Sequence, residues 1–196
     1  MTEPTNEPRQ DWQFEPIDTN NLHIYEKTLC FPTIQTIFFH TKQGELADTE
    51  QYTVNNVNIV AYGYTFSISN DILTNLYGST HGLGLASDEN HEINKQTYIQ
   101  LDLSNITTNV ESGTIPTITI HGIEKNEGYR LFGTNIPGTL GTTIYTSNDE
   151  NETHTIDIPM FGTYRYISIT ASGLKSKSSV LLNSLTYMSC IENIPE

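Results

Sequence analysis

Five carboxylate or amide side chains stand close together in the segment 87–94, whose sequence is SDENHEIN. They are Asp88, Glu89, Asn90, Glu92 and Asn94. Carboxylate and amide oxygens are the hard ligands that calcium prefers, and calcium accepts about six to eight of them in a flexible geometry. The spacing is not that of an EF-hand, because no DxDxDG pattern is present. The segment therefore indicates either a calcium site or a solvated acidic loop.

Aromatic, histidine and arginine side chains elsewhere are candidates for contacts with a ligand. Tyr77 stands beside a glycine, and His81 and His91 flank the acidic segment. Tyr129 and Arg130 are further candidates at the start of a strand-like run. A tyrosine ring offers an apolar face on which the C–H face of a sugar can stack. For each of these residues, ordinary packing or a place on the surface is the alternative interpretation.

The sequence contains none of the local patterns of common enzyme classes. We find no GxSxG nucleophile elbow, no cysteine–histidine pair and no phosphate-binding glycine loop. The segment GLGL at 82–85 is not followed by the helix that a dinucleotide fingerprint requires. The histidines include no HExxH or other zinc spacing. We therefore predict that the protein is not an enzyme, although two catalytic carboxylates can lie anywhere in a sequence.

The charge of the chain disfavours two classes of partner. With 23 acidic and 9 basic residues among 196, the net charge is −14. Such a chain repels the phosphates of nucleic acids and of anionic membranes. No apolar run approaches the ~18 residues of a membrane span, and the first residues, MTEPTNEPRQ, lack the apolar region of a signal peptide. We expect no nucleic-acid partner and no membrane insertion.

Short runs of alternating apolar and polar residues recur through the chain. In Tyr98–Leu103 the even-numbered residues point one way and the odd-numbered ones the other, which predicts one wet and one buried face. About ten such runs, separated by turn residues, predict an all-β antiparallel sandwich without a long helix. The runs are Thr33–His40, Tyr52–Val60, 61–68, Tyr98–Leu103, Ile115–Ile120, Tyr129–Phe132, Thr142–Tyr145, Thr155–Ile158, Tyr164–Thr170 and Val180–Met188.

Two segments depart from the strand pattern. Residues 1–20 are rich in proline and acids, and they predict an extended arm before a single domain at 21–196. Trp12 and Phe14 in this arm are expected to dock onto the domain itself or onto a neighbouring subunit. The segment Asn70–His81 predicts a loop with at most one short helical turn. Gly63, between two tyrosines, predicts a bulge or a close approach of backbone.

Three stretches together resemble a known family. YIQLDLS, TITIHGIEKNEGYRLFGTN and YRYISITASGLKSKSSVLLNSLTY are similar to galactose-binding-like jelly rolls, which include discoidin-like domains and many carbohydrate-binding modules. The likeness extends over roughly 54–188. GLGL followed by Glu92-Ile93 is also similar to bacterial extracellular modules of the PEP-CTERM-anchored type, although the ending IENIPE lacks their anchor. The resemblance implies a jelly roll of about ten strands, an extracellular or cell-surface location, and a structural calcium in the acidic loop.

The two cysteines, Cys30 and Cys190, lie near the first and the last predicted strand. Because the terminal strands of jelly rolls often lie side by side, a disulfide between them is one expectation, and two buried thiols are the other.

Two functions fit these observations. The first is a non-catalytic module that binds a carbohydrate or calcium through its loops. The second is a structural protein of a surface layer, fibre or particle, which packs as a homo-oligomer or against surface-layer neighbours through its N-terminal arm.

Overall fold

Two antiparallel β-sheets face each other across one layer of apolar side chains. The structure is a computed structural model that describes residues 30–147 and 151–192, with side chains at 32–147 and 151–189. The first sheet has eight strands: β1 (Cys30–Phe38), β2 (Gly44–Glu45), β6 (Leu76–Ser79), β7 (Gly82–Leu85), β8 (Ile93–Asn94), β10 (Thr117–His121), β13 (Thr153–Asp157) and β15 (Ser179–Glu192). The second has seven: β3 (Thr49–Val54), β4 (Val57–Thr65), β5 (Ile72–Leu73), β9 (Thr97–Asp102), β11 (Glu127–Thr134), β12 (Thr142–Thr146) and β14 (Tyr166–Gly173).

The strand orders show how distant parts of the chain meet. The first sheet runs β13-β10-β15-β7-β6-β2, with β1 and β8 also paired to the long strand β15. The second runs β12-β11-β14-β9-β4-β3, with β5 paired to β4. The predicted antiparallel β-sandwich is confirmed, and several of its additional strands are pieces of only two residues. Helix is limited to a 3₁₀ turn at Phe39–Thr41 and to α1 (Ser104–Asn109) in the part of the chain described.

The core lies between the two sheets. Its centre is made of aliphatic residues that occupy alternate positions on each strand, as period-2 burial requires. Examples are Ile59, Leu101 and Ile169 from the second sheet and Leu85 and Leu182 from the first, all of them buried. Among the described residues, no helix is both long and apolar enough to cross a bilayer.

The first and last described strands lie side by side, as jelly-roll connectivity led us to expect. The register of β1 and β15 places Pro32 opposite Cys190 and Cys30 opposite Glu192. The two cysteines are therefore on neighbouring strands, two positions out of register. Their side chains, like Trp12, Phe14 and the rest of the arm, lie outside the described residues, so the disulfide and the docking of the arm stay predictions.

Two boundaries predicted from the sequence are wrong. The run Tyr52–Val60 is not one strand, because Asn55 and Asn56 form a tight turn between β3 and β4. Both have positive φ, 47° and 65°, the conformation of a two-residue hairpin turn that asparagine tolerates better than most residues. The segment Asn70–His81 is not a loop either, since it contains the strands β5 and β6. The polar residues between its apolar ones interrupt the alternation that would have predicted these two strands.

Of the two alternatives predicted for Gly63, the close approach of another segment of backbone is confirmed. A Cβ at this position would lie 2.4 Å from the carbonyl oxygen of Thr74. Thr74 in turn donates its backbone N–H to Gly63 over 3.0 Å. Glycine is needed here because the segment before β6 crosses directly over β4.

The prediction of one wet face for Tyr98–Leu103 is wrong. The alternation of side-chain directions is correct, but all six residues of β9 are buried. Strand β9 lies in the middle of its sheet, and loops from elsewhere in the chain cover its outer face. Gln100 illustrates this, since its side-chain amide donates to the carbonyl of Thr139 over 2.9 Å and accepts from the N–H of Gly138 over 2.9 Å.

Candidate functional site

The acidic segment 87–94 forms the turn after β7 together with the short strand β8, and its own side chains hold it in place. The carboxylate of Asp88 accepts from the backbone N–H of Asn90 at 2.9 Å and from the side-chain amide of Asn94 at 2.5 Å. Asn94 accepts from the N–H of Gln96 at 2.7 Å. The structure therefore brings Asp88 and Asn94 into contact, and hydrogen bonds within the loop occupy their oxygens.

The two glutamates of this segment point to different neighbours. Glu92 accepts a hydrogen bond from the hydroxyl of Ser179, whereas Glu89 lies 3.6 Å from Lys177 in an exposed ion pair. Among the side chains described at 32–147 and 151–189, no group of three or more histidine, cysteine, aspartate or glutamate residues is placed to hold a metal ion. Calcium binding by Asp88–Asn94 stays a prediction.

A polar cleft lies beside this segment, where three connections meet. It has a volume of about 690 Å³, which is within the usual range of about 300–1,000 Å³ for small-molecule sites. Its lining includes Asn90, Glu92, Glu124, Glu127, Lys175 and Ser179. We call it the charged cleft. A smaller cavity of about 340 Å³ adjoins it and shares Asn90, Lys177 and Ser179.

Lys175 organises the charges of this cleft. Its ammonium lies 2.7 Å from Glu124 and 3.7 Å from Glu127, and the carboxylate of Glu127 is buried. Glu127 also accepts from the backbone N–H of Glu124 over 3.1 Å. The hydrogen bond from Lys175 lowers the pKa of Glu124, and the same bond raises the pKa of Lys175. The cleft thus presents fixed donors and acceptors of both signs.

The predicted ligand residues near the acidic loop are engaged with other rings. Tyr77 stacks on His91, with ring centroids 3.9 Å apart and an interplanar angle of 15°. His81 stacks on His121 with centroids 4.8 Å apart, and His121 hydrogen-bonds Thr153 over 2.8 Å. Tyr77 and His121 lie on strands of the first sheet, His81 and His91 lie in its connections, and the four rings form two separate stacks. The structure does not bring Tyr77 and His81 together into one site.

Tyr129 and Arg130 point to opposite faces of β11. Tyr129 is fully buried, and its hydroxyl hydrogen-bonds Nδ1 of His154 over 2.9 Å. A ligand arriving from solvent does not reach its ring in this structure. Arg130 is exposed on the outer face of the second sheet. Successive residues of a strand alternate between faces, which explains the separation.

The outer face of the second sheet carries a polar pair that sequence reasoning missed. Arg165 binds Asp102 through Nη2 at 2.7 Å and Nε at 3.1 Å, and its guanidinium lies 4.9 Å from the ring centroid of Tyr166. Burial raises the pKa of Asp102, but the hydrogen bonds from Arg165 and Ser104 outweigh it, so the pKa lies below its usual value. Asp102 and Arg165 are 63 positions apart, so no local signal joins them.

An aromatic row runs along the same face. The ring of Tyr98 stacks on Tyr64 at 4.9 Å and lies 5.1 Å from Phe66. The hydroxyl of Tyr98 donates to Asp71 over 2.9 Å. Burial, together with the hydrogen bond and the charge of Asp71, raises the pKa of Tyr98. Tyr62 and Tyr64 are two positions apart in β4, which predicts that both rings pack on one face of the strand. In the structure that face is the outer side of the sheet.

Comparison with models of protein families gave no match, and comparison with curated proteins gave none either. The resemblance to galactose-binding-like jelly rolls therefore stays a prediction that rests on the strand patterns alone.

Proposed function

We propose that the protein is a non-catalytic binding module, extracellular or on a cell surface, which holds a carbohydrate in the charged cleft. The observation that carries the proposal is the alternation of fixed donors and acceptors around that cleft. Lys175 can donate to a hydroxyl, Glu92 can accept from one, and Ser179 can do both. A sugar needs such mixed partners, because each of its hydroxyls donates and accepts. The proposed location rests only on the family resemblance.

The surroundings of the carboxylates favour binding over catalysis. A general acid in a hydrolase needs a carboxyl whose pKa is raised, usually by an apolar pocket. The pKa of Glu124 has the opposite shift, because Lys175 stabilises its charge. Glu127 shares the same lysine. The bond from Lys175 supports a role in which the carboxylate of Glu124 stays ionised and accepts hydrogen bonds.

A glycan array followed by calorimetry tests the carbohydrate. The variants are Glu92→Gln and Lys175→Met, and Asp157→Asn is the matched control, since Asp157 is exposed on β13 and outside the cleft. We expect the two cleft variants to weaken binding about tenfold or more, as the loss of a hydrogen bond to a charged group predicts. Absence of any glycan hit, or equal affinity in all variants, would contradict the proposal.

Calcium is the second proposed ligand, and its test is separate. If the Asp88–Asn94 loop rearranges around the ion, calcium will raise the unfolding temperature of the protein, and Asp88→Asn will abolish the shift. Magnesium at the same concentration serves as the control, because it demands a stricter geometry. No shift with calcium would count against an ion in this loop.

Assembly is the other candidate function, and one observation favours it. Ile34 and Phe38 on β1 are 68% and 45% exposed, and β1 pairs with β15 alone in the described part of the chain. A free strand edge with exposed apolar side chains favours pairing with another chain. Light scattering would compare the parent chain with Ile34→Lys, with a chain that lacks residues 1–20, and with the control Ile72→Lys. We expect the first two to lose the oligomer that the parent forms and the control to keep it. An unchanged monomer mass in all chains would exclude assembly.

A further inference from the structure

We propose that a second pocket, on the outer face of the second sheet, binds the carboxylate of a ring-shaped acid such as a uronic acid unit. The pocket has a volume of about 340 Å³, and Phe66, Lys95, Arg130, Phe132, Leu140 and Ser172 line it. It shares no lining residue with the charged cleft. The inference therefore goes beyond the proposed function and does not depend on it.

This pocket is lined by basic residues, whereas the chain as a whole is acidic. The net charge is −14, yet no aspartate or glutamate is among the described residues that line the pocket, whereas two bases are. Of the five other described bases, Lys42, Arg165, Lys175 and Lys177 each form an ion pair with a carboxylate, and Lys125 alone does not. Within the described ranges, Arg130 and Lys95 have no carboxylate partner. Two bases without a carboxylate partner among the described residues give this pocket a local positive charge, which favours an anion.

The two cations are held differently, and the difference suggests their roles. Lys95 is fixed, because its ammonium donates to the carbonyl oxygen of Gly173 over 2.7 Å and also to that of Lys175. Arg130 stands on β11 opposite Thr170, and its side chain has no hydrogen-bond partner in the part of the chain that is described. A free guanidinium presents parallel N–H groups that match a carboxylate in bidentate fashion. Arg130 would bind the anion, and Lys95 would add a fixed positive charge.

The remaining walls favour a ring over a bare anion. Phe132 stands two residues after Arg130 on the same face of β11, and Phe66 and Leu140 add further apolar surface. The hydroxyl of Ser172 supplies a polar group on the neighbouring strand β14. Apolar walls with a few polar groups fix the orientation of a small ligand. A phosphate or sulfate would gain nothing from the phenyl rings.

Calorimetric titration of the whole chain at low ionic strength, with four probes, tests the inference. Sodium glucuronate is the main probe, glucose is its neutral counterpart, benzoate is a flat aromatic acid, and sulfate is a bare anion. We expect glucuronate to bind and glucose and sulfate not to bind. Binding of glucuronate alone assigns the pocket to acidic sugars, and equal binding of benzoate assigns it to ring carboxylates in general.

Two substitutions connect the binding to the pocket. Arg130→Ala should weaken glucuronate binding about tenfold or more, and Arg130→Lys should restore only part of it, because the bidentate geometry is lost. Lys125→Ala is the control for loss of one positive charge, since Lys125 is an exposed base that lines the charged cleft and not this pocket. Because Arg130 is exposed, its variants should keep the unfolding temperature of the parent chain.

The inference is overturned if neither glucuronate nor benzoate binds, if sulfate competes equally well, or if Arg130→Ala binds as the parent does. Glu92→Gln must leave glucuronate binding at this pocket unchanged. A loss in that variant with normal binding by Arg130→Ala would place the acid in the charged cleft instead, so the two proposals fail in distinguishable ways.

Discussion

Arg165 clamps Asp102 with two nitrogens, at 2.7 Å from Nη2 and 3.1 Å from Nε. Asp102 ends β9, and Arg165 immediately precedes β14, so the pair joins two neighbouring central strands at one end of the sheet. The backbone N–H of Leu103 also donates to the carbonyl of Arg165 over 2.9 Å. The carboxylate is mostly buried and the guanidinium is half exposed, which makes the pair sensitive to loss of its cation.

Replacement of that cation should destabilise the fold. Arg165→Met leaves a mostly buried carboxylate without its charged partner, and we expect the midpoint of urea unfolding to fall by about 0.5 M. Lys177→Met is the control, because the pair of Lys177 with Glu89 is exposed on both sides, and its midpoint should move by less than about 0.2 M. Equal shifts in the two variants would show that the burial of Asp102 does not matter.

The contribution of the pair should depend on pH in a defined direction. The pKa of Asp102 is lowered in the folded state, so protonation favours the unfolded chain. The stabilisation is complete above the unfolded pKa of about 3.9 and is lost as the pH falls through the lower folded value. The urea midpoints of the parent and of Arg165→Met should therefore begin to converge below about pH 4 and should meet once the pH lies below the folded pKa of Asp102. A difference that persists unchanged in acid would exclude this origin.

Buried tyrosines should limit stability at alkaline pH. Burial raises the pKa of Tyr52, Tyr98 and Tyr187 in the folded state. Their contribution to the free energy of unfolding is fully present below the unfolded pKa of about 10. It is lost as the pH rises from there through the higher folded pKa, because the tyrosines of the unfolded chain ionise first. In a near-ultraviolet absorbance titration, these tyrosines should ionise together with unfolding. Complete ionisation of all tyrosines while the circular dichroism stays native would contradict the prediction.

Two buried tyrosine hydroxyls should have opposite energetic effects. The hydroxyl of Tyr187 is buried and has no hydrogen-bond partner among the described residues, whereas that of Tyr98 donates to Asp71. Tyr187→Phe should stabilise the fold by up to about 1 kcal/mol, and Tyr98→Phe should destabilise it by about 1.5 kcal/mol. Thermal unfolding compared with the parent chain measures both. A loss of stability in Tyr187→Phe would indicate a partner for that hydroxyl.

Gly84 should be required for the position of the acidic loop. A Cβ there would lie 2.0 Å from the carbonyl oxygen of His91, so Gly84→Ala should cost about 3 kcal/mol and displace the loop. Gly162→Ala is the control. Its position has φ of +83° but open space, so we expect a cost of only about 1 kcal/mol. Chemical denaturation measures the energies, and the ring-current shift of His91 on Tyr77 reports the loop.

Local alternation in the sequence identified most of the strands and the directions of their side chains. Alternation in 166–173 and 179–189 is local, because each residue faces the core or the outside according to its position in the strand. The group of polar side chains in the acidic loop could also be predicted from the sequence, because Asp88 and Asn94 are only six positions apart. Their contact and the geometry of the loop are known only from the structure.

The hairpin at Asn55-Asn56 shows where local interpretation failed. Two polar residues interrupt an otherwise strand-like run, and their meaning depends on whether the chain turns back or continues. The answer comes from the pairing of Val54 with Val57 across the turn. An Asn-Asn pair is a weaker turn signal than Asn-Gly.

Sequence periodicity alone determined that this chain forms strands with one face toward a shared apolar layer. Tertiary structure decided what covers the other face. Gln100 is buried because a turn 38 and 39 positions later bonds to its amide, and the charged cleft exists because 90–92, 122–127 and 175–179 meet at one place. Period-2 burial is a property of a strand and its nearest neighbours in sequence, whereas such contacts arise only when the sheets have paired and packed.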